Sequence, residues 1–247
     1  MHQKTVISVK NASLGYKKSG SPVKILNDVN LEFYEGDFIG IVGLNGVGKS
    51  TLLKSLSGLL PLLSGTISIE DSLIKDLSLE ELAKRIAIVL TEKIGGFNLT
   101  AFDVVAAGQM PYTDSFNRLT KKNISIIESA IDMCGIKKHQ HKLINELSDG
   151  LFQKTIIAKA LAQQTPILLL DEPSAFLNYA SKHELFLLLK KLTIENKKCN
   201  LVSSHDLDLI LKYCNKLLVI SEDGMELLSP LEARKNPSFK KIGGGFI

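Results

Sequence analysis

Eight consecutive residues, Gly43-Leu44-Asn45-Gly46-Val47-Gly48-Lys49-Ser50, constrain this chain more than any other feature. They follow an apolar run, Phe38-Ile39-Gly40-Ile41-Val42, patterned like a strand buried on both faces, and lead into a helix-compatible segment from Lys49 to Gly58. Strand, glycine-rich loop and helix in that order make an anion cradle. Glycines let the backbone curl so that successive N–H groups face phosphate oxygens, at a helix amino terminus whose partial positive charge favours them. Gly43, Asn45, Gly46 and Gly48 form the cradle, while Lys49 is placed to reach the β- and γ-phosphates and Ser50 to offer its hydroxyl to Mg²⁺. Thr51 adds a donor for the α-phosphate.

A second element is Ile167-Leu168-Leu169-Leu170-Asp171-Glu172-Pro173. A buried strand ending in two carboxylates delivers them to the carboxyl end of a sheet, where α/β proteins bind ligands. Taken alone it reads as an exposed acidic turn. Beside a phosphate loop, Asp171 reads as a Mg²⁺ ligand and Glu172 as the general base that polarises an attacking water.

Periodicity places these motifs in an alternating chain. Strands are predicted at Thr5–Val9 and Val29–Tyr34, either side of a turn at Lys17–Pro22, and again at Thr66–Glu70, Arg85–Leu90, Asn200–Ser203 and Lys216–Ile220. Helical spacing marks Leu79–Lys84, Thr100–Gly108, Lys121–Cys134, Leu151–Gln163, Ala180–Glu195 and Asp206–Tyr213. The fold class predicted is α/β, with a mostly parallel helix-covered sheet, a smaller antiparallel sheet at its edge and a helical insertion in the middle. Residues Pro237–Ile247, with Gly243–Gly245 among them, read as loosely held.

Composition narrows the class without deciding it. With 247 residues, 45% hydrophobic and 23% charged, the chain is neither disordered nor collagenous. A net charge of +4 is too small to suggest a nucleic-acid footprint, so no nucleic-acid partner is expected. Cys134, Cys199 and Cys214 are odd in number and scattered, which excludes a disulfide framework or Cys-x-x-Cys zinc site and fits a reducing compartment. Apolar runs fall far short of the ~20 residues of a membrane span, and Met1–Lys10 holds no stretch long enough for a signal peptide.

Leu147-Ser148-Asp149-Gly150, lying before the acidic strand and opening a helix, completes a set that resembles the ATP-binding-cassette (ABC) ATPases over essentially the whole chain. The resemblance implies a single cassette of the P-loop NTPase (RecA-like) class, with residues 1–90 and 164–247 as nucleotide-binding core and 91–163 as helical subdomain. It further implies ATP and Mg²⁺ as ligands, Ser148 and Gly150 as contacts to the ATP of an opposite subunit, and Tyr16 of Leu14-Gly15-Tyr16 as the aromatic that stacks on adenine. His205, in Val202-Ser203-Ser204-His205-Asp206, matches the family's switch histidine. Ser148 would also be a good helix N-cap, which aims the helix amino terminus at an anion.

The chain departs from the family pattern at several positions. Thr91, followed by Glu92, stands where a Mg²⁺-touching glutamine is usual; Asp149 and Leu151 alter the signature; Asn178 replaces the aspartate closing the loop after the acidic strand. Gln109, in Val104-Val105-Ala106-Ala107-Gly108-Gln109-Met110-Pro111-Tyr112-Thr113, stands where ATPases of iron-siderophore, haem and cobalamin importers usually carry arginine. Membership of that subfamily implies a homodimer, two integral membrane permease subunits, an external substrate-binding protein and a peripheral position on the cytoplasmic face of the membrane. Two alternatives stay open: a soluble non-transport cassette ATPase, and an ATP-binding regulatory module with weakened hydrolysis.

Overall fold

The computed structural model describes residues 4–18, 21–90, 98–114, 116–222 and 224–243. The chain begins with a long hairpin, β1 (Thr5–Lys18) and β2 (Ser21–Tyr34), then β3 (Phe38–Val42), α1 (Lys49–Leu56), β4 (Ser64–Ile69) and β5 (Ser72–Leu73). Next come α2 (Leu79–Arg85) and β6 (Ile86–Val89), then α3 (Ala101–Ala106), α4 (Lys121–Met133) and α5 (Asp149–Ala162). The remainder is β7 (Ile167–Asp171), α6 (Tyr179–Asn196), β8 (Cys199–Ser203), α7 (Leu207–Tyr213), β9 (Lys216–Ser221), β10 (Gly224–Leu228), α8 (Pro230–Ala233) and α9 (Pro237–Lys241).

Two sheets form among the described residues. One is antiparallel with order β2-β1-β4-β5; the other has order β10-β9-β3-β8-β7-β6 and is parallel apart from its β10 edge. Side chains of successive strand residues point to opposite faces, and the buried strands feed two separate cores accordingly. Phe38, Val42, Leu168, Leu170 and Val202 face a core shared with α3–α7, whereas Ile39, Ile41, Ile167, Leu169 and Leu201 face α1 and the antiparallel sheet. The helical insertion thus has no separate core: Val105 of α3, Ile127 and Ile131 of α4 and Ile157 of α5 pack into the first cluster. Its helices start where the sequence supplies caps. Thr100 with Asp103 and Thr120 with Asn123 form reciprocal capping boxes, the first through Thr100 N–H to Asp103 Oδ2 at 2.9 Å.

The expected α/β architecture is present, and the differences have local causes. Strands β1 and β2 run to 14 residues each, longer than predicted, because register shifts between Val9 and Gly15 break the alternation in β1 and the first four residues of β2 are exposed. The edge strands β5 and β10 are short and hold no fully buried residue, so neither imposes a readable pattern. Residues 237–241 are not loosely held: Asn236 Oδ1 accepts the Phe239 N–H at 3.0 Å, Pro237 starts the helix, and Phe239 is fully buried. Residues 244–247 lie outside the described set. No helix among the described residues is long and apolar enough to cross a membrane.

Candidate active site

Strand β3 ends at Val42 and the chain turns through residues 43–48 into α1. Gly48 occupies the N-cap position at φ 113°, and a Cβ there would come within 2.9 Å of Ile25 and 3.0 Å of Leu26, so only glycine fits. The turn brings the α1 amino terminus to the carboxyl edge of the parallel sheet. Lys49, buried beneath the loop, donates from Nζ to the Gly43 carbonyl at 2.9 Å and the Leu44 carbonyl at 3.2 Å. Burial pulls its pKa below the usual lysine value, against the opposing charges of Glu172 and Asp171.

Strands β7 and β8 are neighbours in the sheet, with Asp171 paired to Ser203. The Ser203 hydroxyl bridges the acidic pair: it donates to Asp171 Oδ1 at 2.7 Å and accepts the Glu172 N–H at 2.9 Å. Glu172 takes φ +48°, a left-handed conformation that is uncommon for a residue with a long side chain. The turn away from the strand carries its carboxylate to His205, with Glu172 Oε1 3.3 Å from His205 Nε2. That oxygen is buried and accepts no hydrogen bond among the described residues. Burial raises the Glu172 pKa above the ordinary value, the charges of His205 and Lys49 opposing it.

These groups line one cleft of about 310 Å³, together with Tyr16, Asn45, Gly46, Gly48, Ser50 and Thr51. Tyr16 leaves the hairpin toward α1, its hydroxyl 3.2 Å from Thr51 Oγ1 and its ring half-exposed. Gly15 precedes it at a shift in the β1–β2 register, where a Cβ would meet the Val23 carbonyl at 2.0 Å. Gly43 stands behind Lys49 rather than in the cleft wall. Ser148 and Gly150 do not line the cleft either. Ser148 caps α5, accepting the Leu151 N–H at 3.4 Å, on an exposed face, and Gly150 packs close to the Phe176 carbonyl. Thr91 and Glu92 lie outside the described residues.

The family model described as "ABC transporter" matches residues 26–175, a segment that includes the glycine loop, the Ser148 turn and the acidic strand. The chain belongs to the ABC transporter family. An uncharacterized ABC transporter ATP-binding protein of Methanocaldococcus jannaschii is 37% identical over 98% of this chain and 86% of its own. The iron(3+)-hydroxamate import ATP-binding protein FhuC of Bacillus subtilis is 31% identical over 87% of this chain and 79% of its own. Among solved structures, a dimeric ATP-binding cassette in a post-hydrolysis state bound to ADP and phosphate superimposes with a TM-score of 0.80. It is 26% identical and matches 91% of this chain and 98% of its own.

As an ABC ATPase, the chain binds ATP and hydrolyses it to ADP and phosphate. The hard oxygen donors of the cassette cleft, the Ser50 hydroxyl and the Asp171 carboxylate, fit Mg²⁺, which is held by one or two protein oxygens together with substrate phosphates and water. The sequence reading overlooked Ser203 and Ile25. A signal for Ser203 existed: a buried strand ending Val202-Ser203-Ser204 spends a hydroxyl where an apolar residue would pack, which demands a polar partner inside the sheet. Ile25 lines the cleft from a hairpin segment whose alternation carried no such mark.

Proposed function

We propose that this cassette is the ATP-hydrolysing subunit of a membrane importer for a metal chelate of the iron-siderophore, haem or cobalamin kind. The observation that carries the hydrolytic part is the convergence of Lys49, Asp171, Glu172 and His205 on the cleft beside Tyr16. The importer part rests on the residue pattern from Val104 to Thr113 and on likeness to a relative named for iron(3+)-hydroxamate import.

In this reading Tyr16 stacks on the adenine, and Asn45, Gly46, Gly48, Lys49 and Thr51 hold the phosphates. Ser50 and Asp171 would hold Mg²⁺, which would supply charge neutralisation at the phosphate oxygens. Glu172 takes the proton of the water that attacks the γ-phosphorus as the bond to the ADP oxygen breaks. A carboxylate raised toward neutrality is suited to accept that proton. His205 fixes Glu172 and the γ-phosphate, and Lys49 stabilises the charge that spreads over the transferring group.

Two copies complete two sites. Ser148, exposed before α5, and the half-buried Gly150 in its first turn contact the ATP held by the glycine loop of the partner, so ATP closes a homodimer and hydrolysis reopens it. The insertion exposes the apolar side chains Met110 and Phe116, which supports docking against coupling helices of two permease subunits and, in this reading, a peripheral position on the cytoplasmic face of the membrane. An external substrate-binding protein delivers the chelate.

Phosphate release with MgATP, measured alone and with reconstituted membrane subunits beside Lys49→Ala and Glu172→Gln, tests this reading. Turnover lost in both variants, and chelate uptake that depends on it, is the expected result. ATP binding without phosphate release in the complete complex would favour a nucleotide-gated regulator, and co-purification with nucleic acid a soluble cassette.

A further inference from the structure

Asp206 directly follows the switch histidine and sits at the N-cap position of α7, where an aspartate ordinarily accepts an N–H of the first turn. Here it makes no such cap. Its carboxylate points instead to two other elements: Oδ2 accepts the Ser174 hydroxyl at 3.2 Å, and Lys182 Nζ, from the first turn of α6, lies 3.0 Å from Oδ2 and 3.2 Å from Oδ1. Ser174 is buried and stands two residues beyond Glu172. Lys182 has only about a quarter of its side chain exposed, which fixes the ammonium better than a surface lysine. The Asp206 N–H is held as well, donating to Ser204 Oγ at 3.0 Å.

One carboxylate therefore ties the segment bearing His205 to the segment bearing Glu172, with α6 holding it from the side. The separation of those two groups, 3.3 Å between Oε1 and Nε2, is set by the two short loops that follow β7 and β8. Leaving a helix without its side-chain cap costs stability, so the arrangement marks a position where geometry matters more than helix strength.

We infer that Lys182 is a positioning residue for hydrolysis: through Asp206 and Ser174 it fixes the distance between Glu172 and His205. The inference rests on the ATPase reading of the cleft. Misplacing a reacting group by a fraction of an ångström slows chemistry while leaving ground-state binding intact.

The test uses the full chain with Lys182→Met, which keeps the stem and removes the charge, and Lys182→Arg, which restores a donor. The expected result is a kcat for MgATP lowered about ten-fold in Lys182→Met with KM within about two-fold, and substantial recovery in Lys182→Arg. Combining Lys182→Met with Asp206→Asn should cost no more than Asp206→Asn alone, because the lysine acts through that carboxylate. Amide hydrogen exchange over residues 203–209, without nucleotide, should quicken in Lys182→Met while the rest of the sheet is unchanged. A KM rise matching the kcat loss, additive variants, or unaltered exchange at 203–209 would overturn the inference. Exchange that responds to Lys182, in a wild-type chain whose phosphate release is no faster than that of Glu172→Gln, would overturn the ATPase reading and leave the clamp standing.

Discussion

Gln109 occupies a fully buried position in the turn that follows α3, and its amide makes two connections. Nε2 donates to the Ala162 carbonyl at the end of α5, and Oε1 accepts from Asn123 Nδ2 of α4 at 2.8 Å. Asn123 is itself buried and uses its Oδ1 to cap α4 through the Thr120 N–H at 2.8 Å. Gln109→Leu conserves volume and leaves two buried polar groups without partners, an N–H of Asn123 and the Ala162 oxygen. Each orphan costs about 1–3 kcal/mol, while the added apolar burial of leucine returns about 1 kcal/mol, so the net loss is about 3 kcal/mol. Because the chain contains no tryptophan, urea unfolding is best followed by circular dichroism, with ΔG extrapolated to water. The double variant Gln109→Leu/Asn123→Leu should lose less than the sum of its singles, since the Asn123 orphan is gone. A single-variant loss under about 0.5 kcal/mol, or strict additivity, would refute the assignment of Gln109 as the polar joint of the three insertion helices.

Three further outcomes are expected. Phe239→Ala should destabilise the chain by about 3–5 kcal/mol in the same unfolding assay, because a fully buried ring is removed; a change near zero would return the carboxyl-terminal helix to the loosely held state. Tyr16→Ala should weaken ATP binding by about 1 kcal/mol in calorimetric titration through lost stacking, and unchanged affinity would take Tyr16 out of the site. Glu172→Gln should trap an ATP-bound dimer in gel filtration and, without nucleotide, melt higher than the parent at neutral pH. The sign follows from the raised Glu172 pKa: folding disfavours its charged form, so the parent loses stability as pH climbs from the unfolded value near 4.5 through the folded value. The advantage of the variant should therefore vanish below about pH 4.5, and an advantage independent of pH would refute the desolvation argument.

The site's machinery was legible wherever one short segment carries it. Gly43–Ser50 and Ile167–Glu172 combine residue type with local context, and the structure sets them side by side as neighbouring parts of one cleft. Lys182, Ser174 and Asp206 were invisible because each is ordinary in its own segment and only the packing of α6 against the ends of β7 and β8 makes them a group. Asp206 shows the limit from another side. Aspartate before an apolar helical run signals an N-cap, but a nearby ammonium competes for the carboxylate and wins. The carboxyl-terminal stretch misled for a compositional reason, since lysines and glycines follow the buried Phe239 that anchors it.

The strand order has a consequence for how the protein is made. β3, whose end carries the phosphate loop, sits between β8 and β9 and pairs with no other strand. On the ribosome, residues 38–42 emerge early but cannot find either edge until residues 199–221 have followed. Non-local parallel pairing of this kind closes late and slowly, and in the meantime an apolar strand with both edges open invites wrong partners. The strand that carries the nucleotide cradle is thus completed only once residues 199–221 have been made, and a chain broken off before them leaves both edges of β3 open.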